Sequence, residues 1–448
     1  MISSADAPLR ARVLGGGPTG ALAALALAQA GWLVELRDPL SAEALQGRRR
    51  AYALTQSSRR LLEGLGLWTA LEDRLVPFSQ LRLRDVALER GVVFSPADLT
   101  AVPRPSPLPI GWIARHNQLM ALLLSRLAQH PAITLRLGEP LDPGQSTPGR
   151  GSDPGPGSAA APGETSGLDR PSLDRPRSDR RSRAVAFPDR CAVDRPSPDP
   201  LPDLPPDLPD LIVAADGPGS RTREALGIRC WGWTYSQSCL TAEVDLRGAA
   251  PGTAWELLRP EGPSALLPLE EGRFQLVWSA PTARQRRREA LDPAAFLDGL
   301  TAVLPADLEP DALAEPARTF PVGWMLAHRL SRGRTVLVGE SAHRCHPVGG
   351  QGLNLCWRDV AALHRLALKA SRGQLAPDRI GRAYGLRRWP DLLLILTSTD
   401  LLVRLFSTRH PLALLLRRPA LALLHRAAPL RRISLAVMTD GLPHLRRD

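Results

Sequence analysis

Near the start of the chain, Gly15-Gly16-Gly17-Pro18-Thr19-Gly20 has the residue types and spacing that can hold a diphosphate. It follows a short strand, Ala11–Leu14, and opens an alanine- and leucine-rich helix, Ala21–Ala30. Gly15 permits the tight turn, Gly17 lets the backbone approach a pyrophosphate, and Gly20 lets helix and strand pack closely. The helix start adds free N–H groups and a partial positive charge. Residues 31–38 then read as a second strand ending at Asp38, where a carboxylate can accept hydrogen bonds from adenosine ribose hydroxyls. Glu35 competes for that role but is expected to face solvent. Strand, turn, helix, strand and acid in this order predict a Rossmann-type dinucleotide site.

A dinucleotide turn alone does not choose between NAD and FAD; two later segments bear on that choice. Asp216-Gly217-Pro-Gly-Ser220-Arg-Thr-Arg223 follows a short buried strand that begins at Leu211. Another buried strand, from Thr335, ends in Gly339-Glu340-Ser-Ala-His343, followed by His346-Pro347-Val-Gly349-Gly350-Gln351-Gly352-Leu353-Asn354-Leu-Cys356-Trp-Arg-Asp359. These segments resemble the DGxxSxxR, GD(A)AH and HPxxGQGxNxGxxD elements of the ubiquinone-biosynthesis hydroxylases, a family of class A FAD-dependent aromatic monooxygenases. Arg50-Ala-Tyr-Ala-Leu, residues 61–68, Gly111–Arg115, Pro263–Leu269 and Leu276–Ser279 resemble the same family. The likeness spans nearly the whole chain except 141–209.

The resemblance implies bound FAD, with NAD(P)H or another donor reducing it. O2 then forms a flavin hydroperoxide that hydroxylates an electron-rich ring, expected to be a polyprenylated phenol of quinone biosynthesis. It assigns Asp216, Gly217, Gly339 and Glu340 to the cofactor, and the loop Pro347–Asn354 to the flavin face. Arg50 and Arg115 correspond to positions that touch flavin or diphosphate, although Arg50 also ends a run of three arginines suited to solvent. The chemistry of the residues agrees. A carboxylate after a buried strand can accept from a ribitol hydroxyl. Glycines let backbone approach a flat ring, and a helix start near Leu353 favours the anionic reduced flavin. Such chemistry needs no side-chain nucleophile, so no catalytic residue is assigned. Trp233, Tyr235 and Trp278 are candidates for a substrate wall and equally for core aromatics.

Two positions depart from the pattern. Glu340 stands where the family has aspartate, and Cys356 where it has glycine. Cys356 is expected to pack inward as a small hydrophobe, a thiol of lowered pKa being the alternative. His343, Cys345 and His346 are close in sequence, yet no second ligand group at matching spacing supports a metal. No GxSxG elbow follows a strand, which argues against a hydrolase.

The elements that must position these residues follow from periodicity. Helical spacing is expected at Ser57–Leu75, Asn117–Gln129, Ala294–Val303 and from about Leu353 to Ser371, and strand-like runs fill 229–320. The predicted fold is α/β: a Rossmann-type FAD domain in three parts (1–140, 210–228, 322–385) interleaved with a β-rich substrate domain at 229–321. A helical region at 386–448 closes the chain. Residues 141–209 concentrate Pro, Gly and Arg and are expected to be a disordered insertion, with one strand conceivable at Ala184–Phe187.

The net charge of +12 fits an arginine-rich composition as well as an anionic surface; nothing else supports nucleic acid. The five cysteines form no CxxC pair, consistent with a reducing compartment. No signal peptide or spanning helix is expected, so the protein is read as cytoplasmic. The apolar, basic stretch 391–433 leaves peripheral contact with the inner face of a membrane open. Docking of its leucines onto the protein is the competing reading. A reductase or dehydrogenase of the same fold, and a degenerate scaffold without FAD, remain as alternatives.

Overall fold

A computed structural model of the chain describes residues 8–99, 108–139, 208–270 and 272–442. The expected insertion, but for residues 208 and 209, lies outside these, as does the strand expected at Ala184–Phe187.

Three sheets organise the described residues. The first has six strands in the order β15 (Ser331–Arg332), β16 (Thr335–Leu337), β9 (Leu211–Ala214), β1 (Arg10–Leu14), β2 (Leu33–Asp38) and β8 (Ile133–Leu137). Pairing is parallel from β16 through to β8. Every side chain of β9 is buried, the continuous apolar run that a strand covered on both faces requires. Helix α1 (Pro18–Gln29) is almost entirely Ala and Leu and buried along its length. It packs against the 21-residue helix α9 (Gln351–Ser371).

The second sheet has eight strands: β17 (His343–Arg344), β14 (Glu309–Ala327), β10 (Cys230–Arg247), β13 (Arg273–Pro281), β12 (Ser264–Glu270), β11 (Thr253–Leu258), β5 (Gln80–Asp85) and β6 (Arg90–Phe94). Period-two alternation splits β11 between two cores. Trp255 and Leu257 join Phe274, Phe296 and Leu300 on one face, whereas Ala254 and Leu258 join Phe78, Val348, Val403 and Phe406 on the other. The first face is covered by α7 (Thr282–Glu289) and α8 (Pro293–Thr301). Helices α10 (Ile380–Phe406), α11 (Pro411–Arg426) and α12 (Ala428–Asp440) close the second. A small third sheet, β3 (Ala51–Leu54), β7 (Gly111–Arg115) and β4 (Val76–Phe78), joins the two larger ones.

Two expectations are corrected by pairing and backbone. Residues 80–94 were placed with the dinucleotide unit, yet β5 hydrogen-bonds to β11 and so extends the second sheet. The helix expected over Ser57–Leu75 is two, α3 (Gln56–Gly64) and α4 (Trp68–Glu72). Gly66, at φ +67°, turns the chain left-handed between them, which ends a helix. The helix expected at Asn117–Gln129 is α5 (His116–Gln129), and two short helices, α2 (Ala42–Gln46) and α6 (Arg221–Ala225), add to those expected.

Candidate functional site

The glycine turn has the geometry its sequence predicts. Gly15 sits at φ +105°, and a Cβ there would strike the Ala215 carbonyl and lie 3.0 Å from Asp216 Cα. A Cβ on Gly20 would run into the Gly15 carbonyl. Gly17 differs: it caps α1, and a Cβ there would meet no heavy atom within 4 Å. Helix α1 therefore begins with bare backbone, no capping side chain and no acid in its first turn. That is a cradle for an anion. Asp38 stands beside it, accepting from Gly16 N at 2.6 Å and from Leu40 N at 2.8 Å. Glu35 instead pairs with Arg12 and Arg37 on the outer face, as expected of a solvent-side residue.

The second motif braces the other two. Asp216 accepts from Ser220 Oγ at 2.6 Å, and from Thr222 N and Oγ1 at 3.1 and 2.9 Å. Its carboxylate therefore shapes the turn through Gly217. Arg223 reaches out of that turn to the Ser341 carbonyl at 2.9 Å, tying the second motif to the third.

At the third motif Gly339 is left-handed (φ +70°), and a Cβ there would sit 3.0 Å from Thr19 Cγ2 and 3.2 Å from Cys356 Sγ. Thr19, Gly339 and Cys356 are thus brought to one point at the start of α1. Cys356 points inward, and burial pushes its thiol well above the ordinary value, so the lowered-pKa alternative is not realised. Asp359, one turn further along α9, accepts from Gly339 N at 2.8 Å, His343 Nε2 at 2.7 Å and Arg388 Nε at 2.6 Å. Burial opposes its charge, but His343 and Arg388 overcome that and hold the carboxyl below its usual range.

Glu340 is exposed. Although desolvation works against its charge, Arg50 is raised by Tyr52 and by the Glu340 carboxylate. Arg50 Nε donates to Tyr52 Oη at 2.8 Å, and Tyr52 Oη lies 2.8 Å from His116 Nδ1. His116 Nε2 is 2.8 Å from the Leu45 carbonyl, so Nε2 carries the ring proton and Nδ1 accepts from Tyr52. Burial lowers the His116 pKa and keeps the ring neutral. Arg115 departs from expectation. Its guanidinium is bound to Glu243 at 2.8 Å and Glu270 at 3.0 Å, both on the second sheet.

The loop Pro347–Asn354 lies between the sheets. Gly349 and Gly350 are left-handed (φ +68° and +62°), and a Cβ on Gly350 would come 3.1 Å from Ala53 Cβ. Gly352, at the start of α9, has no heavy atom within 4 Å of a Cβ position, and Leu353 packs against the core. Asn354 Nδ2 donates to Ala53 O at 2.7 Å and Gly350 O at 2.8 Å, and its Oδ1 accepts from Ser58 Oγ at 2.6 Å. Gln351 Nε2 donates to Gly349 O at 3.0 Å, whereas its Oε1 is buried with no partner among the described residues. Bare backbone at two helix starts and an unsatisfied acceptor on this loop fit a flat, polyol-linked dinucleotide.

Of the expected wall residues, Tyr235 packs on the loop side, edge-on to His346 at 5.5 Å, and Trp233 stacks on Trp324 at 4.4 Å. Trp278 belongs to the opposite face, buried in the other core with Arg288 over its ring. A cavity of about 370 Å³, lined by Arg229, His328, Arg329 and Arg332 among others, shares no residue with the site. Tyr52 and Asp359 lay within the sequence motifs without an assigned role, and His116, Arg388 and Glu256 carried no local pattern; only the tertiary contacts reveal what these side chains do.

Comparison with known proteins agrees with this geometry. Residues 208–390 match the family model described as an FAD binding domain. The chain is 32% identical to ubiquinone hydroxylase UbiL of Rhodospirillum rubrum, over 96% of this chain and 89% of that protein. The chain belongs to the ubiquinone-biosynthesis hydroxylases. Escherichia coli 3-demethoxyubiquinol 3-hydroxylase is a further member at 28% identity, covering 96% of this chain and 97% of its own. Among solved structures, p-nitrophenol 4-monooxygenase PnpA of Pseudomonas putida shares the fold, with a TM-score of 0.67 at 16% identity and 96% of both chains covered. As a family member the chain is an FAD-dependent monooxygenase. The two alternatives, a reductase of the same fold and an FAD-free scaffold, lose their support.

Proposed function

We propose that this chain hydroxylates the aromatic ring of a prenylated phenol in quinone biosynthesis. The observation that carries the reading is a buried apolar cluster directly beside the Pro347–Asn354 loop. It gathers Phe78, Ile110, Ala254, Leu258, Leu269, Val348, Val403 and Phe406. Such a cluster suits a ring with a hydrocarbon tail, and the same helices present exposed leucines outward.

Within that reading, Gly15, Gly17, Pro18, Thr19 and Gly20 hold the diphosphate of FAD and Asp38 its adenosine ribose. Asp216 and Gly217 support the turn from behind. Gly339, Glu340 and Arg50 line the ribitol side. Pro347, Gly349, Gly350, Gln351, Gly352, Leu353 and Asn354 present backbone to the ring. Arg115 is not in this set, because its charge is already neutralised by Glu243 and Glu270. Bound FAD supplies electron transfer from NAD(P)H to O2 and activation of the oxygen. The protein positions the acceptor ring and excludes water through the apolar cluster.

The second part of the proposal is peripheral membrane attachment through 391–433. Leu412, Leu415, Leu416 and Leu423 of α11 are each more than half exposed, between arginines at 409, 418 and 426. This is the composition of an interfacial helix, and among the described residues no helix is long and apolar enough to cross a membrane. The test is turnover of a prenylated phenol by purified protein. Mass spectrometry is expected to find a product heavier by one oxygen, with flavin absorbance in the protein. Reduced-donor consumption that yields only hydrogen peroxide overturns the hydroxylase assignment.

A further inference from the structure

Beside that apolar cluster one residue is out of character. Glu256 lies on β11 between Ala254 and Leu258, on the face turned to the Pro347–Asn354 loop, and is 7% exposed. Its neighbours across the strands are Ala265 and Leu83. Among the described residues its one hydrogen bond is to Oε2, from Gly349 N at 3.2 Å. Among these residues no cation pairs with it. A carboxyl placed in such surroundings costs several kcal/mol unless it is neutral. Burial pushes Glu256 up to about 8, opposed only by the Gly349 bond. At neutral pH the group is therefore a carboxylic acid. Oε2 is engaged as acceptor, which leaves Oε1 to carry the proton and donate it.

We propose that Glu256 is the residue that binds the substrate's phenolic hydroxyl. Its carboxyl is anchored to the backbone of the loop through one oxygen and presents the other to the aromatic acceptor beside the apolar cluster. The inference rests on the aromatic-hydroxylase reading above. The arrangement selects for a ring oxygen beside a hydrocarbon body, since a site built to hydrogen-bond a hydroxyl rejects analogues that lack it. It also makes recognition sensitive to pH, because ionised Glu256 has no proton to donate.

The titratable groups of the surrounding elements do not supply that sensitivity. His346, with its Nε2 buried and unpartnered, is lowered by burial to about 3. Cys239 and Cys345 are raised by burial to about 12. Tyr235 is pushed up by burial and by Asp400, to which it donates at 2.6 Å. Asp400 is paired with Arg404, and Asp85 with Arg417 of α11. Glu256 alone titrates between pH 7 and 9 in this set.

The experiment uses the flavin-loaded full chain and two probes, 2-farnesylphenol and its methyl ether, with binding followed by calorimetry. The wild type is expected to prefer the phenol about tenfold at pH 7, the size of one hydrogen bond. That preference is expected to fall as pH rises from 7 to 9, while the phenol itself (pKa about 10) stays protonated. Glu256→Leu is expected to bind both probes equally. Glu256→Gln, which keeps an acceptor for Gly349 and a donor for the phenol, is expected to retain the preference across the range. A leucine variant with wild-type preference overturns the proposal. If the leucine variant does not fold, identical pH profiles of wild type and Glu256→Gln overturn it instead. Failure of the hydroxylase reading looks different: wild type then binds neither probe and adds no oxygen to the phenol.

Discussion

At Gly339 a single missing Cβ does two jobs. The residue takes a left-handed backbone and leaves room for Thr19 and Cys356. Gly339→Ala must adopt a conformation costing roughly 1–2 kcal/mol and push Thr19 or the thiol aside. We expect FAD retention about tenfold weaker, measured by fluorescence on dilution. Glu256 gives a second residue-scale prediction, on stability. Its folded pKa is raised to about 8 from 4.5, so the folded state holds a proton that the unfolded chain releases. The stability this provides is complete below pH 4.5 and is lost as pH rises to about 8. Relative to wild type, Glu256→Gln should gain in urea midpoint across that window and no further above it. At this scale the sequence was legible where backbone shape alone carries the role, as in Gly15, Gly17 and Gly20. It was illegible at Arg115, whose partner lies 128 positions away, and at Glu256, which looks like any other strand-borne glutamate.

Helix α9 shows what an element contributes. It presents bare backbone at its start, inserts Cys356 and Trp357 against α1, and one turn on offers Asp359 to Gly339, His343 and Arg388. Arg388 in turn binds Asp391 at 2.7 Å, and all three side chains are fully buried. Removing the cation with Arg388→Met leaves two buried carboxylates short of a partner, which costs roughly 3–5 kcal/mol. We expect a large fall in the urea midpoint, together with loss of bound flavin, because Gly339 N loses its fixed acceptor. The helix itself was readable: apolar spacing predicted Leu353 to Ser371, and the structure has Gln351–Ser371. Its charged partner was not, since Arg388 comes from α10 and no local pattern links them. The same limit explains residues 57–75, where helical spacing continues through Gly66 although the backbone does not.

Across the whole molecule the helical C-terminus has two surfaces. Val403, Phe406, Leu421 and Leu435 pack into the second apolar core, while Leu412, Leu415, Leu416 and Leu423 face outward. Replacing Leu415, Leu416 and Leu423 together with glutamine should leave the melting temperature nearly unchanged, because these side chains bury little within the protein. Binding to vesicles with anionic headgroups should fall well over tenfold, each lost leucine removing about 1.5–3 kcal/mol of apolar burial. Equal flotation of wild type and variant would count against attachment by this helix. The leucines inside and outside are indistinguishable in the sequence, because both repeat at helical spacing among arginines.

Local chemistry settled much about this chain before any folding. A glycine turn shaped to suit a diphosphate, an acid at the end of the second strand and two later glycine-rich motifs depend on residues within a few positions of one another. Backbone sterics and helix ends act over that same range, so their types and order suffice. Long-range pairing decided the rest: residues 80–94 joining the second sheet, Arg115 captured by Glu243, Trp278 turned to the far core, and Glu256 left beside an apolar cluster. Burial and partner choice are properties of surfaces that meet only after the chain has folded, and they set which charges are neutralised and which remain available for binding.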